Sequence, residues 1–135
     1  MRGLDHVVLR VADLERAKAF YRDVLGCAED KWQPDLGLMQ MRAGTALIDL
    51  VDINGKLGQR GGPPAGTEAR NLDHFCIQLS EFDEPALRAY LATHGIEIHE
   101  AGRRYGAEGY GPSLYIRDPD GNSVELKGPP EVNQS

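Results

Sequence analysis

The sequence predicts an α+β fold of two tandem modules, each with a strand, a helix and then two or three further strands. The triplet Leu4-Asp5-His6 returns as Leu72-Asp73-His74 in the second half. Each triplet opens a run of alternating apolar residues, which is typical of a half-buried strand. Because neither half alone is long enough for a comfortable core, we expect one domain. Its expected extent is 1–135, with module 1 over about 4–54, a linker over about 55–71 and module 2 over about 72–128.

A helix is expected after the first strand of each module. Asp13 is suited to begin the first helix, because an N-cap carboxylate accepts backbone N–H groups. Gly26 is suited to end it, because glycine adopts the left-handed conformation of a helix C-terminus. The second helix carries Pro85 in its first turn, where proline is tolerated, and ends near Gly95.

A β-hairpin is expected at the end of each module. The first combines residues 37–43 with 45–52 and turns at Ala43-Gly44. The second combines residues 113–117 with 122–127, and its turn contains Asp120-Gly121. Asp-Gly between two β-type runs is a strong turn signal.

Two glycine-rich segments are predicted to be loops that cover a binding site. The segment Gly55–Asn71 has the composition of a flexible connection between the modules. The segment Gly106–Pro112 interrupts module 2 before its final hairpin. It lacks the Lys-Ser/Thr ending of a phosphate-binding loop and does not lead from a strand into a helix, so we exclude a nucleotide site there.

Composition narrows the classes of partner. The 135 residues have a net charge of −6, whereas a nucleic-acid surface needs clustered Lys and Arg. No apolar run approaches the ~20 residues of a membrane span. We therefore expect a small-molecule partner rather than a nucleic acid or a membrane. The strand-like run that begins at His6 leaves no room for a signal peptide, and Cys27 and Cys76 lack metal-type spacing, so the cytoplasm is the expected location.

The repeat brings four polar residues into equivalent positions. His6 matches His74, and Asp49 in Ile48-Asp49-Leu50 matches Glu125 in Val124-Glu125-Leu126. A carboxylate inside an apolar strand must face solvent or find a partner, because burial of an unpaired charge is costly. Two histidines and two carboxylates suit a divalent metal, and without Asp49 they form the triad of non-haem iron enzymes. The alternative for Asp49 is an ordinary surface residue near the hairpin end. The residues do not distinguish between Ni, Co, Zn, Mn and Fe as the bound metal.

Three segments resemble the vicinal oxygen chelate superfamily, and the resemblance extends over about residues 4–127. The superfamily includes glyoxalase I, fosfomycin-resistance proteins, extradiol dioxygenases, methylmalonyl-CoA epimerase and bleomycin-binding proteins. The sequence is most similar to small glyoxalase-domain proteins. The segments are Asp5-His6-Val7-Val8-Leu9-Arg10-Val11, residues 13–26, and Asp118-Pro119-Asp120-Gly121-Asn122-Ser123-Val124-Glu125-Leu126.

The resemblance implies a fold of two βαβββ modules whose curved sheets form an open, barrel-like cleft around a metal. His6, His74 and Glu125 fall on the metal positions of the superfamily. Asp49 falls on the fourth position, which is Glu in many glyoxalase I enzymes. The side chain of Asp is one methylene shorter, and without Asp49 the site is a triad of the other three residues. The resemblance also implies a homodimer, in which a cleft can be built within one chain or from two chains.

The activity that the resemblance implies is that of a glyoxalase-like enzyme of the lactoylglutathione lyase type. Such an enzyme acts on a hemithioacetal, or a similar substrate with vicinal oxygens, through a metal-stabilised enediolate. Glu125 is the first candidate for the base that moves the proton, and Asp49 is the second. Cationic anchors, aromatic walls and the strand face that Gln78 shares with His74 suggest five substrate-binding residues: Arg10, Gln78, Arg103, Tyr105 and Tyr115.

Three other activities stay open at this point. An iron(II) extradiol dioxygenase would use the same triad to cleave a catecholic ring. A non-catalytic protein of the bleomycin-resistance type would bind a drug or metabolite, but such members generally lack the metal ligands that are present here. A conjugating enzyme of the fosfomycin type would need a potassium loop that the sequence does not show.

Overall fold

The computed structural model describes all residues from 1 to 135 and contains two compact units, Met1–Arg70 and Asn71–Ser135. Each unit has one open, four-stranded mixed sheet and one principal helix. The predicted α+β class is therefore confirmed, and each module has three strands after its helix. No helix of the chain has the length and apolar character that a membrane span requires.

The first unit forms a sheet in the order β1-β4-β3-β2, with β1 parallel to β4 and the other neighbours antiparallel. Parallel pairing of β1 with β4 requires a crossover, which the helix and the β2–β3 hairpin provide. The elements are β1 (His6–Val11), α1 (Leu14–Ala19), a π-helical turn (Phe20–Val24), β2 (Ala28–Gln33), β3 (Leu38–Ala43), β4 (Ala46–Asp52) and a 3-10 turn (Gly58–Gly61).

The second unit repeats this arrangement with the sheet order β5-β8-β7-β6, and β5 is parallel to β8. The repeat that the triplets indicate in the sequence is thus a repeat of topology. The elements are β5 (Phe75–Gln78), α2 (Glu84–Thr93), β6 (Glu100–Gly106), β7 (Gly109–Arg117) and β8 (Ser123–Lys127).

The first helix begins as expected but changes character part-way. The Asp13 carboxylate accepts a hydrogen bond from the backbone N–H of Arg16, and Gly26 has a φ of +75°. Between them, α1 gives way to the π-helical turn, which the sequence pattern did not predict. Phe20 and Tyr21 in this turn are consecutive and both buried, although a regular helix would point neighbouring side chains about 100° apart.

The segment Gly106–Pro112 is not a loop, so that prediction is wrong. It forms the ends of β6 and β7, which pair closely with only Ala107 and Glu108 between them. A side chain at Gly111 would lie 2.8 Å from the Pro129 carbonyl oxygen and 2.9 Å from Lys127 Nζ. Glycine therefore marks a close approach inside a strand here, a role that composition does not distinguish from that of a loop.

Each sheet buries one face in an apolar core. In the second unit, alternate residues of β7 and β8 are essentially inaccessible to solvent, and so is Leu91 of α2. Because side chains alternate along a strand, Glu125 points to the opposite face from Val124 and Leu126. The core residues of this sheet are Leu114, Ile116, Val124 and Leu126.

Candidate metal centre

The predicted metal ligands occupy equivalent places in the two units. His6 begins β1 and His74 directly precedes β5. His6 lies two residues before Val8, which pairs with Asp49 in β4. In the same way, His74 lies two residues before Cys76, which pairs with Glu125 in β8. Residues two apart on a strand share a face. The duplication therefore places one histidine and one carboxylate on the same face of each sheet.

In the second unit, the histidine and the carboxylate are in contact. His74 Nε2 lies 3.2 Å from Glu125 Oε1, and Glu125 is only 6% exposed. The Ser113 hydroxyl donates to Glu125 Oε2 at 2.6 Å, and the Tyr115 hydroxyl donates to Oε1 at 2.9 Å. Hydrogen bonds to a carboxylate are stronger than those between neutral groups. The buried carboxylate is therefore held in place from the neighbouring strand.

A further arginine supports this arrangement. Arg104 Nε donates to the Tyr115 hydroxyl at 3.2 Å, and Arg104 Nη2 pairs with Glu100 at 2.9 Å. The Arg104 side chain lies over Gly102, where any side chain would obstruct it. Burial, and then the hydrogen bond to Glu125, raise the pKa of Tyr115. The phenol therefore stays protonated at neutral pH and acts as a donor to the carboxylate.

In the first unit, Asp49 is buried and held by an amide. Asp49 is 3% exposed, so the alternative prediction of a surface residue is wrong. Gln40, directly across on β3, donates from Nε2 to the two carboxylate oxygens at 3.1 and 3.3 Å. Gln33 in turn donates to Gln40 Oε1 at 3.0 Å. Gln40 thus occupies the position in β3 that Tyr115 occupies in β7.

His6 and Asp49 line a common cavity of about 690 Å³ within the first unit. Two further polar side chains reach it, those of Arg10 and Arg60, while most of the remaining lining is aliphatic. Leu57, Arg60 and Gly61 come from the glycine-rich linker, so this segment forms one wall of the cavity. The aliphatic residues are Val8, Leu38, Val51 and Leu57.

Both histidine rings are oriented by the aspartate that precedes them. His6 Nδ1 lies 2.6 Å from Asp5 Oδ1, and His74 Nδ1 lies 2.6 Å from Asp73 Oδ2. A carboxylate at Nδ1 keeps the proton on that nitrogen and leaves Nε2 available to a metal. The Asp5 hydrogen bond and, to a smaller extent, the negative charge of Asp49 raise the pKa of His6.

The chemistry of these side chains fits a divalent metal. Imidazole nitrogen and carboxylate oxygen together bind Zn, Ni, Co, Mn and Fe, and a carboxylate on the far ring nitrogen is the usual support of a ligating histidine. The structure assembles the residues as two pairs, and it contains no group of three or more His, Cys, Asp or Glu side chains that could hold an ion. Ligation by all four residues stays a prediction.

Arg10, which the sequence suggests as a substrate anchor, forms its hydrogen bonds with backbone carbonyl oxygens of the chain. Its Nε and Nη2 donate to the Gly58 carbonyl oxygen at 3.1 and 2.9 Å, and Nη1 donates to that of Pro63 at 3.3 Å. A further bond joins Nη2 to the Gly62 carbonyl oxygen. The guanidinium of Arg10 therefore fastens residues 58–63 to β1, and substrate binding by Arg10 stays a prediction.

We expect Arg10→Met to loosen this wall of the cavity without unfolding the sheet. Methionine keeps part of the packing of the side chain but donates no hydrogen bond to the carbonyls at 58, 62 and 63. Hydrogen exchange of residues 58–63, followed by mass spectrometry, should accelerate at least ~10-fold, the loss of about one net hydrogen bond. Exchange in β4 should not change. Arg42→Met, which removes an exposed ion pair to Asp30, is the matched control. Equal exchange in both variants would contradict the role of Arg10.

The other predicted substrate-binding residues lie in different surroundings. Gln78 donates to Glu108 in the β6–β7 turn. Arg103 pairs with Glu131 at 2.7 Å, and Tyr105 is 73% exposed. Strand alternation places Arg103 and Tyr105 on the face of β6 opposite to that of Arg104. Tyr115 alone among the five contacts a predicted metal ligand directly, and a role in substrate binding stays a prediction for each.

Sequence reasoning missed the residues that hold the two carboxylates. Neither Ser113 nor Gln40 carries a signal as a single residue in the sequence. The informative signal is the register of the hairpins, because Gln40 pairs with Asp49 and Tyr115 pairs with Glu125. Residues directly opposite each other on antiparallel strands have side chains within contact distance.

Comparison with known proteins identifies the family. Residues 3–126 match the model of the Glyoxalase/Bleomycin resistance protein/Dioxygenase superfamily. The chain belongs to this superfamily. The resemblance to vicinal oxygen chelate proteins is thereby confirmed across nearly the whole sequence. Members of this superfamily are mostly metal-dependent enzymes that act on small molecules.

Individual relatives of the chain have different activities in their names. The glyoxalase domain-containing protein RDO1 of Mycosarcoma maydis is 27% identical over 130 residues, which cover 93% of this chain and 68% of that protein. The catechol-2,3-dioxygenase of Bacillus subtilis is 34% identical over 98 residues, or 72% of this chain but only 34% of the dioxygenase. The structure of lactoylglutathione lyase from Agrobacterium tumefaciens superposes with a TM-score of 0.68 at 26% identity, covering 95% of this chain and 94% of the lyase.

Proposed function

We propose that the protein is a divalent-metal enzyme of the glyoxalase type, with the two histidine–carboxylate pairs as its ligands. The ligands would be His6, Asp49, His74 and Glu125. The observation that carries the proposal is the contact of His74 Nε2 with the buried Glu125 carboxylate, each fixed by its own hydrogen bonds. The reaction would move a proton between adjacent carbons of a small substrate with vicinal oxygens, such as a hemithioacetal.

The bound metal supplies a Lewis acid that polarises a substrate oxygen. The chain supplies the base, and Glu125 is the first candidate because one of its oxygens already lies beside a histidine ring. A general base must reach the substrate C–H within hydrogen-bond distance. The hydroxyl groups of Ser113 and Tyr115 hold the Glu125 carboxylate in a single orientation, which favours such transfer. Asp49, held by Gln40, is the second candidate.

Support for a glyoxalase-type reaction comes from the full-length similarity to a lactoylglutathione lyase structure. The proposal includes a small-molecule substrate, a homodimeric assembly and a cytoplasmic location. The homodimer follows from the family resemblance, and the location follows from the N-terminal sequence and the cysteine spacing. An iron(II) extradiol dioxygenase is the second candidate, because the dioxygenase relative has the higher identity, although over a shorter stretch. A triad of His6, His74 and Glu125 would serve that chemistry.

Metal content decides between these functions. The chain, purified without chelator, is analysed by elemental mass spectrometry as wild type, as His74→Ala and as His94→Ala. His94 is an exposed histidine at the end of α2 and serves as the matched control. We expect near-stoichiometric nickel, cobalt or zinc in the wild type and in His94→Ala, and its loss in His74→Ala.

Other outcomes would redirect or end the proposal. Stoichiometric iron that depends on His74 would make ring cleavage of a catechol the favoured reaction. Metal-free protein that does not bind a metal after reconstitution would end the enzymatic hypothesis and favour a non-catalytic binding protein. Hemithioacetal turnover is measured on whichever metal form is obtained.

A further inference from the structure

The cavity of the first unit is positively charged in a chain whose net charge is −6. Two arginines and one carboxylate face it, so its fixed charges are net positive even when His6 is neutral. A divalent metal held by His6 and Asp49 would add to this charge. A concave site with one sign of charge and apolar walls concentrates ligands of the opposite charge. The electrostatics of the cavity therefore favour an anionic ligand.

The two arginines have different opportunities to bind such a ligand. Arg10 uses all three of its nitrogens on backbone carbonyl oxygens of residues 58, 62 and 63. Arg60 makes one long bond, from Nε to the Leu57 carbonyl oxygen at 3.4 Å. Its two terminal nitrogens have no acceptor in the protein, and no carboxylate pairs with it. Of the two arginines that line this cavity, Arg60 therefore has the guanidinium whose two terminal nitrogens are available to bind a ligand.

The backbone that carries Arg60 is tightly constrained. A side chain at Gly58 would collide with the Asp52 carbonyl oxygen, and one at Gly61 would collide with the Arg10 guanidinium. Gly62 has a φ of +77°, a conformation that favours glycine. The close packing at Gly58 and Gly61 and the hydrogen bonds from Arg10 fix the chain on both sides of Arg60. Its guanidinium therefore projects from a rigid base, which reduces the entropy lost on binding.

We propose that Arg60 binds the anionic group, a carboxylate or a phosphate, of the molecule that occupies this cavity. The planar fork of arginine matches both groups through paired hydrogen bonds. As the anchor of a substrate, this inference rests on the proposed function and narrows its substrate class. The substrate would carry vicinal oxygens at one end and an anionic group at the other, with a short carbon chain against Val8, Leu38 and Val51. Arg60 takes the anchoring role that the sequence suggests for Arg10.

The test measures anion binding to the metal-free chain of residues 1–135 by isothermal titration calorimetry. Inorganic phosphate and succinate are the probes, and they distinguish a phosphate site from a carboxylate site. The variants are Arg60→Met, which removes the charge, and Arg60→Lys, which keeps the charge but loses the fork. Lys56→Met is the matched control, because Lys56 is an exposed cation of the same segment that does not line the cavity.

We expect the wild type to bind at least one probe and Arg60→Met to bind it at least ~10-fold more weakly, since tenfold in affinity corresponds to about 1.4 kcal/mol. Arg60→Lys should fall between them, and Lys56→Met should stay within twofold of the wild type. Equal weakening in Arg60→Met and Lys56→Met, unchanged binding in Arg60→Met, or no binding of either probe to the wild type would overturn the proposal.

A metal titration of the same proteins separates this inference from the proposed function. Arg60→Met should bind nickel or zinc as tightly as the wild type, because Arg60 is not among the proposed ligands. Arg60-dependent anion binding in a wild type that binds no metal would refute the metal enzyme and retain the anion site. Metal binding without Arg60-dependent anion binding would refute the anion site and retain the proposed metal enzyme.

Discussion

Glu125→Gln is expected to reduce turnover of a hemithioacetal by at least ~100-fold, the lower end of what a positioned general base contributes. Glutamine has nearly the same size, so the packing of β8 should persist. Its amide cannot take up a proton from a substrate carbon, and it carries no charge with which to bind a metal. The measurement is kcat/KM together with the number of metal ions bound per chain.

The hydrogen bonds around Glu125 add a structural consequence to this substitution. Ser113 and Tyr115 both donate to the carboxylate, one to each oxygen. In glutamine one of these oxygens becomes an NH₂ group, so one hydroxyl loses its acceptor in a buried position. We therefore expect a lower melting temperature as well, from a loss of about 1–3 kcal/mol.

Glu84→Gln is the matched control for Glu125→Gln. Glu84 is an exposed carboxylate of α2 that pairs with Arg88, so the variant makes the same chemical change outside the hydrogen bonds that hold Glu125. It should retain turnover and metal within a few-fold. Equal activity of Glu125→Gln and the wild type would exclude Glu125 as the base and leave Asp49 as the candidate.

The repeat was the most informative feature of the sequence, because it determined both the topology and the equivalence of the candidate ligands. Alternating runs after each Leu-Asp-His triplet predict β1 and β5, and the helix cap at Asp13 occurs as expected. The glycine-rich segments were harder to interpret. The glycines of 58–62 do lie in the connection between the modules, in and just after the 3-10 turn. Gly106, Gly109 and Gly111 instead lie in two paired strands, where Lys127 or Pro129 closely approaches Gly106 and Gly111.

The candidate site shows the same division between what a sequence contains and what only coordinates reveal. The equivalence of Asp49 and Glu125 is visible in the sequence, but their hydrogen-bond donors depend on hairpin register. The different roles of Arg10 and Arg60 depend on the path of residues 58–63, which no local pattern predicts. A side chain that faces a cavity can still be occupied by the backbone of its own chain, as Arg10 is.

The aspartates of the two triplets provide the second large expected effect. Asp73→Asn should weaken metal binding by roughly 10- to 100-fold, the range found for carboxylates behind a ligating histidine. The Asp73 carboxylate contacts His74 Nδ1 at 2.6 Å, and asparagine offers a neutral, weaker acceptor that no longer increases the basicity of Nε2. Competition titration with a coloured chelator measures this affinity. Asp35→Asn, an exposed aspartate between β2 and β3, should leave it unchanged.

Asp5→Asn should add a change in pH dependence. The Asp5 hydrogen bond is the largest cause of the raised pKa of His6, so its loss lowers that pKa. A metal competes with a proton for the imidazole ring of His6, and in the variant this ring loses its proton at a lower pH. Metal binding by Asp5→Asn should therefore begin at lower pH than in the wild type, although its limiting affinity at high pH is weaker. A purely structural aspartate would weaken metal binding equally at every pH, so an unshifted profile would exclude Asp5 as the residue that tunes His6.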